Sequence, residues 1–381
     1  MDNLTHSLVG LTAAKAGLER LSPGATFLCV IAANSPDVDV AILLFGDRWT
    51  YLQHHRGITH AIVGVIALAV LLPLIFHGVD RLWSAYRKQP VTTKLRGLMI
   101  ASLIVTATHP ILDWTNNYGI RFLLPWNPQW FYLDLVYVVD PYMWLILGGA
   151  VFLLSAKTNG GKFIWGAVAV VITALMLLSS RAGALPNRTF FIIFWLAAII
   201  TLILLFRWGA ATRWGPKIAV GALWVVVFYW TGLTVVQALA FNKAINYADA
   251  TAAANRELLK RASIMPTLAN PLRWDLVFET NRATYRSNFR LLDNNSQPKV
   301  VRYEKPSGAL AKVLENISQE RSVRIFLGFA RYPVAQLADP QCATQTLVEF
   351  ADLRYTEPSR SRGPFTLNLP VACPTNDEGG R

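Results

Sequence analysis

Six histidines are the residues with the clearest capacity for chemistry, and all of them fall in the first third of the 381-residue chain. They are His6, His54, His55, His60, His77 and His109. Aspartates lie near them in the sequence: Asp37 and Asp39 share a Pro-Asp-Val-Asp segment, and Asp113 follows His109 by four residues. Because positions i and i+4 lie on one face of a helix, His109 and Asp113 can bind the same ion.

Imidazole nitrogens and carboxylate oxygens are ligands that Zn²⁺, Mn²⁺ and Fe²⁺ accept. A divalent ion in such a site lowers the pKa of a bound water, which makes hydroxide available near neutral pH. Each residue also has a simpler interpretation. Asp37 and Asp39 can cap a helix, and His54, His55 and Arg56 can form a basic cluster attracted to anionic lipid. A shared metal site explains all of these residues together.

The segments that must position these residues are long and apolar. Hydrophobic residues make up 53% of the chain and charged residues only 15%, which is far from the soluble average. Runs that reach or approach the roughly 20 apolar residues of a membrane span cover 58–76, 97–113, 136–155, 163–180, 189–206 and 218–241. Ahead of them, apolar segments 4–19 and 24–45 form a shorter pair. A proline and two carboxylates at 34–39 predict a helix end or re-entrant turn there.

Loop charges predict the orientation of these spans. The 77–96 connection carries several basic residues against Asp80 alone, and the loop with Lys157 and Lys162 is also basic. By the positive-inside rule these loops are cytoplasmic, so 114–135 and everything after residue 242 face outside. Five of the six histidines then lie at the outer membrane surface.

The chain changes character after residue 242. Segments 243–262 and 308–319 have the pattern of helices, whereas 274–279 and 348–352 alternate as strands do. The sequence therefore predicts an α-helical integral membrane protein, with about five to seven apolar helices after short N-terminal ones. A small α+β extracytoplasmic domain completes the predicted fold.

Three regions follow from this pattern. We expect a membrane-embedded domain that carries the site at 1–145, additional transmembrane helices at 146–241 and the soluble α+β domain at 242–381. In an oxidising compartment Cys342 and Cys373 can pair, but two free thiols fit the sequence equally well.

The net charge of +13 raises the question of nucleic-acid binding. Most basic residues, however, are spread through short loops that record membrane topology. We therefore expect membrane lipid as the partner and no nucleic acid.

Four short motifs resemble the signature blocks of the YdjM-type membrane-bound, predicted metal-dependent hydrolases. They are Met1-Asp2-Asn3-Leu4-Thr5-His6, Ser35-Pro36-Asp37-Val38-Asp39, His55-Arg56-Gly57-Ile58-Thr59-His60 and His109-Pro110-Ile111-Leu112-Asp113. Tyr118-Gly119, Leu124-Pro125-Trp126 and Asp140-Pro141 match as well, so the resemblance covers about residues 1–145. That family is in turn distantly similar to zinc-dependent phospholipase C and P1-type nucleases.

The resemblance implies a ligand set. It assigns a first metal to Asp39, His60, His109 and Asp113, and it adds His6 to a second metal bridged by Asp113. No histidine follows residue 109 to complete the larger set of those enzymes. We therefore expect one or two divalent ions, with Zn²⁺ favoured and Mn²⁺ or Fe²⁺ as alternatives.

Three further residues are assigned to catalysis. Asp37 is the candidate general base, or else it orients a ligand histidine. Arg56 is the candidate for binding the substrate phosphate, because a guanidinium fork suits its oxygens. His55, at the same outer surface, is grouped with them.

These assignments predict a multi-pass hydrolase of the inner (cytoplasmic) membrane. A site at the outer headgroup level suggests a lipid or lipid-linked phosphoester as substrate. The alternative is a non-catalytic membrane protein with a structural or sensing metal site and a partner-binding C-terminal domain. A metal transporter is disfavoured, because the runs within 136–241 have almost no ionisable residues in their interiors.

Overall fold

The computed structural model describes residues 1–181, 188–292, 299–339, 341–342, 344–358, 363 and 365–373. The chain falls into two compact units. The first comprises Met1–Asp39, Arg56–Val235 and Pro266–Pro271, and the second comprises Val40–His55, Val236–Met265 and Leu272–Arg381.

Helices dominate the first two thirds of the chain, and two further described helices, α12 and α13, lie in the last third. In chain order they are α1 (Asn3–Ala16), a 3₁₀ turn (Leu18–Arg20), α2 (Ala25–Asn34), a 3₁₀ helix (Ser35–Leu44), α3 (Arg48–His54), α4 (Ile62–Arg87), α5 (Leu95–Trp114), α6 (Pro141–Met143), a π-helical segment (Trp144–Gly148), α7 (Gly149–Ser155), α8 (Asn159–Arg181), α9 (Arg188–Arg207), α10 (Ala210–Trp214), α11 (Lys217–Ala254), α12 (Gly308–Ile317) and α13 (Arg321–Phe329).

Six helical segments in the described part of the chain are long and apolar enough to cross a membrane. They are Ala25–Leu44, Ile62–Arg87, Leu95–Trp114, Asn159–Leu178, Thr189–Arg207 and Lys217–Ala254. The predicted fold class, an α-helical membrane protein with an α+β C-terminal region, is therefore confirmed.

Two predicted segments differ from the structure. The α-helix ends at Asn34 as expected, but the backbone continues as a 3₁₀ helix to Leu44 and makes no re-entrant turn. Pro36 permits this, because a proline φ suits the first turn of a helix. The predicted span 136–155 is helical only over Pro141–Ser155, about 22 Å against the roughly 30 Å of a hydrocarbon core.

Small residues bring α1, α2 and α5 close together. Ala14, Cys29 and Ala33 are fully buried between these helices. A Cβ atom added at Gly10 would lie 2.6 Å from the carbonyl oxygen of Cys29, so only glycine allows α1 to approach α2 so closely. Close approach through small side chains is typical of helices that pack in membranes.

The second unit contains two sheets. The strands are β1 (Leu259–Thr267), β2 (Asn270–Thr280), β3 (Ala283–Arg290), β4 (Val300–Glu304), β5 (Pro333–Leu337), β6 (Gln345–Asp352) and β7 (Thr366–Ala372). One sheet has the order β1-β2-β3-β4 and the other has the order β5-β6-β7. The strands predicted at 274–279 and 348–352 lie within β2 and β6, and α12 confirms the helix predicted at 308–319.

One predicted helix of this region ends earlier than expected. The segment 243–262 is divided between the end of α11, at Ala254, and strand β1, which begins at Leu259. The intervening Arg256 has φ 56°, a left-handed conformation that cannot continue an α-helix. Farther on, Cys342 and Cys373 form a disulfide, one of the two arrangements that the sequence left open.

Helix α3 packs with the C-terminal residues. Arg48 donates a hydrogen bond to the carbonyl oxygen of Thr366 at 2.7 Å, and Arg321 lies 3.1 Å from the carboxylate of Asp47. Trp49 packs against the apolar cluster around Phe326. Residues 40–55 thus interrupt the first unit in sequence but fold with the second.

Candidate metal centre

A buried stripe on α5 turns two polar side chains inward. Ala101 and Val105 face the helices that pack on α5, and His109 and Asp113 continue the stripe at four-residue intervals. All four are at most 1% exposed. The helical periodicity that buries the apolar residues therefore also buries an imidazole and a carboxylate on the same face.

Four side chains converge at this level of the first unit. Asp37 lies in the 3₁₀ helix after α2, and His60 lies in the turn before α4. Together with His109 and Asp113, each offers one ligand atom, and these atoms all lie within 4.8 Å of one another. We call these four residues the metal cluster.

The distances within the metal cluster are short. The Nε2 atoms of His60 and His109 lie 3.2 Å apart, and Asp113 Oδ2 lies 3.5 Å from each of them. Asp37 Oδ1 lies 3.2 Å from His60 Nε2 and 3.6 Å from His109 Nε2. Two imidazoles and two carboxylates therefore direct one atom each toward a common point.

The tautomers of His60 and His109 follow from the partners of their Nδ1 atoms, which point away from the metal cluster. His109 Nδ1 donates to the carbonyl oxygen of Ala33 at 2.6 Å, and a carbonyl oxygen can only accept. His60 Nδ1 lies 3.4 Å from the Asp39 carboxylate and 3.1 Å from Thr59 Oγ1. With the proton on each Nδ1, the two Nε2 lone pairs face each other and two carboxylates. Buried hydrogen-bond acceptors that face one another need a cation between them. The four ligand atoms of the metal cluster therefore fit a divalent ion.

The structure places Asp37, rather than Asp39, with His60, His109 and Asp113. Asp39, the predicted ligand, accepts from the backbone N–H of Arg56 at 2.9 Å and faces the outer nitrogen of His60. Asp37, the predicted base, belongs to the metal cluster. In an extended segment, residues i and i+2 point the same way. In the observed 3₁₀ helix, Ser35–Leu44, such residues point in different directions.

Arg56 does not have the exposed position expected of a phosphate-binding side chain. It is 4% exposed, and its Nε lies 3.0 Å from Asp113 Oδ2. Its Nη1 donates to the Asp113 carbonyl, to Asn116 Oδ1 and to the Gly119 carbonyl at 3.0–3.1 Å. The guanidinium also lies over the Tyr118 ring, 4.6 Å from its centroid. Arg56 therefore holds Asp113 and the following loop in place.

His6 lies beside the second oxygen of Asp113. Its Nε2 is 3.3 Å from Asp113 Oδ1, and the same oxygen contacts the amino group of Met1. The His6 ring stacks on His109 with centroids 3.7 Å apart. Burial lowers the pKa of His6 to about 3, and the charge of the Met1 amino group acts in the same direction. The structure thus brings His6 to the cluster as a neutral imidazole.

Two other histidines, His55 and His77, are not members of the metal cluster. His55 belongs to the second unit, where its ring stacks on Tyr51 with centroids 4.7 Å apart. It is not one of the four residues of the metal cluster. His77 lies on α4, where its Nδ1 is 2.8 Å from Thr93 Oγ1.

Sequence reasoning missed several supporting groups. The Ala33 carbonyl carries no side-chain signal, so nothing in its residue type could have identified it. Asn116 and Tyr118 form part of a polar stretch directly after α5, and Tyr118-Gly119 was one of the matching motif pieces. That stretch was a usable signal for residues that support Asp113.

Comparisons with known proteins agree with the motif blocks. Residues 1–184 match the family model described as YdjM inner membrane protein. The uncharacterized protein YfhP of Bacillus subtilis strain 168 is 27% identical over 155 residues, 38% of this chain and 43% of that protein. The inner membrane protein YbcI of Escherichia coli K12 is 29% identical over 162 residues, 41% of this chain and 80% of that protein.

No solved structure matches the chain significantly. The chain spans less than half of YfhP, and neither relative is matched beyond about two fifths of this chain. The matched residues of this multi-pass membrane protein contain the whole metal cluster. The resemblance inferred from the motifs is therefore confirmed over residues 1–184, which are similar to the YdjM inner membrane protein family.

Proposed function

We propose that this protein is a membrane-bound metal-dependent hydrolase of a lipid or lipid-linked phosphoester. The observation that carries the proposal is the pair of imidazoles, His60 and His109, whose Nε2 atoms lie 3.2 Å apart. The Nδ1 atoms of both rings face oxygen acceptors, so both Nε2 atoms can direct their lone pairs toward a cation.

The residues of the metal cluster have complementary roles in this proposal. Asp37, His60, His109 and Asp113 bind the ion, and nitrogen and carboxylate donors without thiolate suit Zn²⁺, with Mn²⁺ or Fe²⁺ as alternatives. A bound divalent ion lowers the pKa of water and stabilises negative charge on phosphoryl oxygens. Asp39 and the Ala33 carbonyl orient the two imidazoles, as the hydrogen-bond partners of ligand histidines do.

His6 extends the site toward a second ion. Asp113 presents Oδ2 to His60 and His109, and it presents Oδ1 to His6. A carboxylate that faces donors with both oxygens can bridge two cations. This supports the expectation of one or two ions, with His6 as a ligand of the second.

The position of the cluster along the helices supports a substrate at the membrane surface. His6 lies near the start of α1, His60 just before α4 and Asp113 near the end of α5. These helix ends belong to the side that the loop charges predict to be extracytoplasmic. The Cys342–Cys373 disulfide supports the same side for the C-terminal domain, because disulfides persist in oxidising compartments.

A structural or sensing metal site is the second candidate. Its support is the burial of the donors: the side chains of His60 and His109 are 0% exposed, that of Asp113 is 1% and that of Asp37 is 10%. A closed set of four protein ligands is typical of structural zinc, whereas a catalytic ion keeps one position open.

One preparation can separate the two candidates. The full-length protein, purified in lipid nanodiscs and loaded with Zn²⁺ or Mn²⁺, is assayed for metal content, thermal midpoint and hydrolysis of a panel of lipid and soluble phosphoesters. The hydrolase proposal expects turnover that disappears in His109→Ala and persists in His77→Ala. Full metal occupancy with no hydrolysis across the panel would favour the structural or sensing site.

A further inference from the structure

An apolar groove lies among the helices of the first unit, away from the metal cluster. Its volume is about 340 Å³, and α1, the π-helical segment, α7, α8 and α9 all contribute to its walls. On α1 the lining residues Leu4, Leu8 and Leu11 follow each other at helical spacing. His6 is about 200° around the helix from Leu4, so α1 separates the groove from the metal cluster.

The polar atoms of the groove walls are already occupied. The indole N–H of Trp165 donates to Ser155 Oγ at 2.8 Å, and that of Trp195 donates to Thr173 Oγ1 at 3.0 Å. The indole N–H of Trp144 lies 3.0 Å from Thr5 Oγ1. These tryptophans therefore present carbon surface to the groove. A polar ligand would find few hydrogen-bond partners there, whereas a hydrocarbon chain needs none.

One end of the groove carries a positive charge. Among the described residues that line it, Lys162 alone is charged, and it lies near the start of α8. The lining on α8 extends from Lys162 to Ile172, which corresponds to about 15 Å along the helix. This length is half of the roughly 30 Å hydrocarbon core, the depth that one lipid leaflet occupies.

We propose that this groove is a binding site for an anionic phospholipid, with an acyl chain along α8 and the phosphate at Lys162. Two spanning helices, α8 and α9, contribute to it, so lipid is the molecule that meets it in the membrane. A basic side chain beside a groove between transmembrane helices attracts anionic headgroups. The site is independent of the proposed hydrolase activity.

Gly166 allows the groove to be blocked without disturbing the fold. It lines the groove, and a Cβ atom added there would meet no heavy atom within 4 Å. A larger side chain at this position therefore enters empty space, and replacing a helical glycine raises helix propensity. Gly221 on α11 is a matched control, because a Cβ atom there also meets nothing within 4 Å and it does not line the groove.

The test uses the full-length protein in vesicles of phosphatidylcholine that contain either phosphatidylglycerol or phosphatidylcholine with a photoactivatable acyl chain. After illumination, adducts are mapped by mass spectrometry. We expect the phosphatidylglycerol probe to label α8 and α1 preferentially. Gly166→Leu should lose most of these adducts, and Gly221→Leu should keep them. Lys162→Gln should abolish the preference for phosphatidylglycerol while acyl-chain labelling of the groove continues.

Two results would overturn the proposal. Equal labelling in Gly166→Leu and Gly221→Leu would mean that lipid chains do not occupy the groove. Equal labelling of the groove by both probes in the wild-type protein would mean that Lys162 selects no anionic headgroup. Gel filtration and the thermal midpoint of each variant establish that it is folded before labelling is compared.

Discussion

Asp37 and Asp39 contact opposite nitrogens of one imidazole ring, that of His60. Asp37 Oδ1 lies 3.2 Å from Nε2, and Asp39 Oδ2 lies 3.4 Å from Nδ1. Two carboxylates only two residues apart therefore stand on opposite sides of a histidine that is far from them in sequence. One faces the point at which a metal can bind, and the other faces away from it.

This arrangement predicts different effects of Asp37→Asn and Asp39→Asn on metal binding. Asp37→Asn removes a proposed ligand charge, so we expect loss of most bound metal. Asp39→Asn leaves all four donors of the metal cluster in place and weakens only the orientation of His60. Its metal affinity should fall by about 10- to 100-fold, the usual cost of losing such a partner.

Metal titration of both variants, followed by elemental analysis, checks this prediction. His77→Ala provides a control that should retain the metal content of the wild-type protein. Loss of metal in Asp39→Asn with full retention in Asp37→Asn would return the ligand role to Asp39.

Arg56→Gln should destabilise the protein strongly. The substitution leaves the Asp113 carboxylate, which is 1% exposed, without its guanidinium partner. Breaking a buried ion pair by removing one partner costs about 3–5 kcal/mol. Thermal unfolding of the metal-free protein measures this effect. Arg87→Gln is the control, since Arg87 stacks on the exposed Trp83 and should contribute little. Equal midpoints for the two variants would contradict the positioning role of Arg56.

The stability of the C-terminal domain should fall in acid because of Glu257. Burial raises the pKa of this carboxyl group, but hydrogen bonds from Thr280, Arg302 and Tyr285 outweigh burial and lower the pKa below its ordinary value. A carboxyl group with a lowered folded-state pKa stabilises the fold above the unfolded-state pKa, and this contribution is lost as the pH falls through the folded-state value.

Thermal midpoints between pH 7 and pH 3 check this expectation. The Glu257→Gln variant should be less stable than the wild-type protein at pH 7, and the difference should shrink in acid. A difference that does not change with pH would show that the charge of Glu257 is unimportant.

The proposed orientation predicts the chemistry of the cysteines. The chain has three cysteines, and Cys29 is fully buried. If the C-terminal domain lies outside the cytoplasm, a membrane-impermeant maleimide should label Cys342 and Cys373 on intact spheroplasts only after reduction. Labelling of both without a reductant would exclude the disulfide, and labelling only after lysis would place the domain in the cytoplasm. Cys29→Ala serves as the background control.

Local pattern was sufficient for much of this protein. Apolar runs predicted the spans at α4, α5, α8, α9 and α11, because length and hydrophobicity decide whether a helix can cross a bilayer. The four-residue spacing of His109 and Asp113 placed both on one helix face, because that depends only on helical periodicity. The alternation of apolar and polar residues likewise predicted the strands that lie within β2 and β6.

Contacts between residues distant in sequence decided the rest. The tertiary structure placed Asp37, and not Asp39, in the metal cluster. Which of the two aspartates joins the cluster depends on the turn geometry after α2 and on the position of His60. The tertiary structure also paired Arg56 with Asp113. No motif spacing encodes this ion pair, because the two residues are 57 positions apart in sequence. It also joined residues 40–55 to the C-terminal unit, through contacts such as that of Arg48 with Thr366, which are 318 residues apart. Composition and periodicity describe what each segment can form, whereas the partner of a buried charge is settled only when the whole chain has packed.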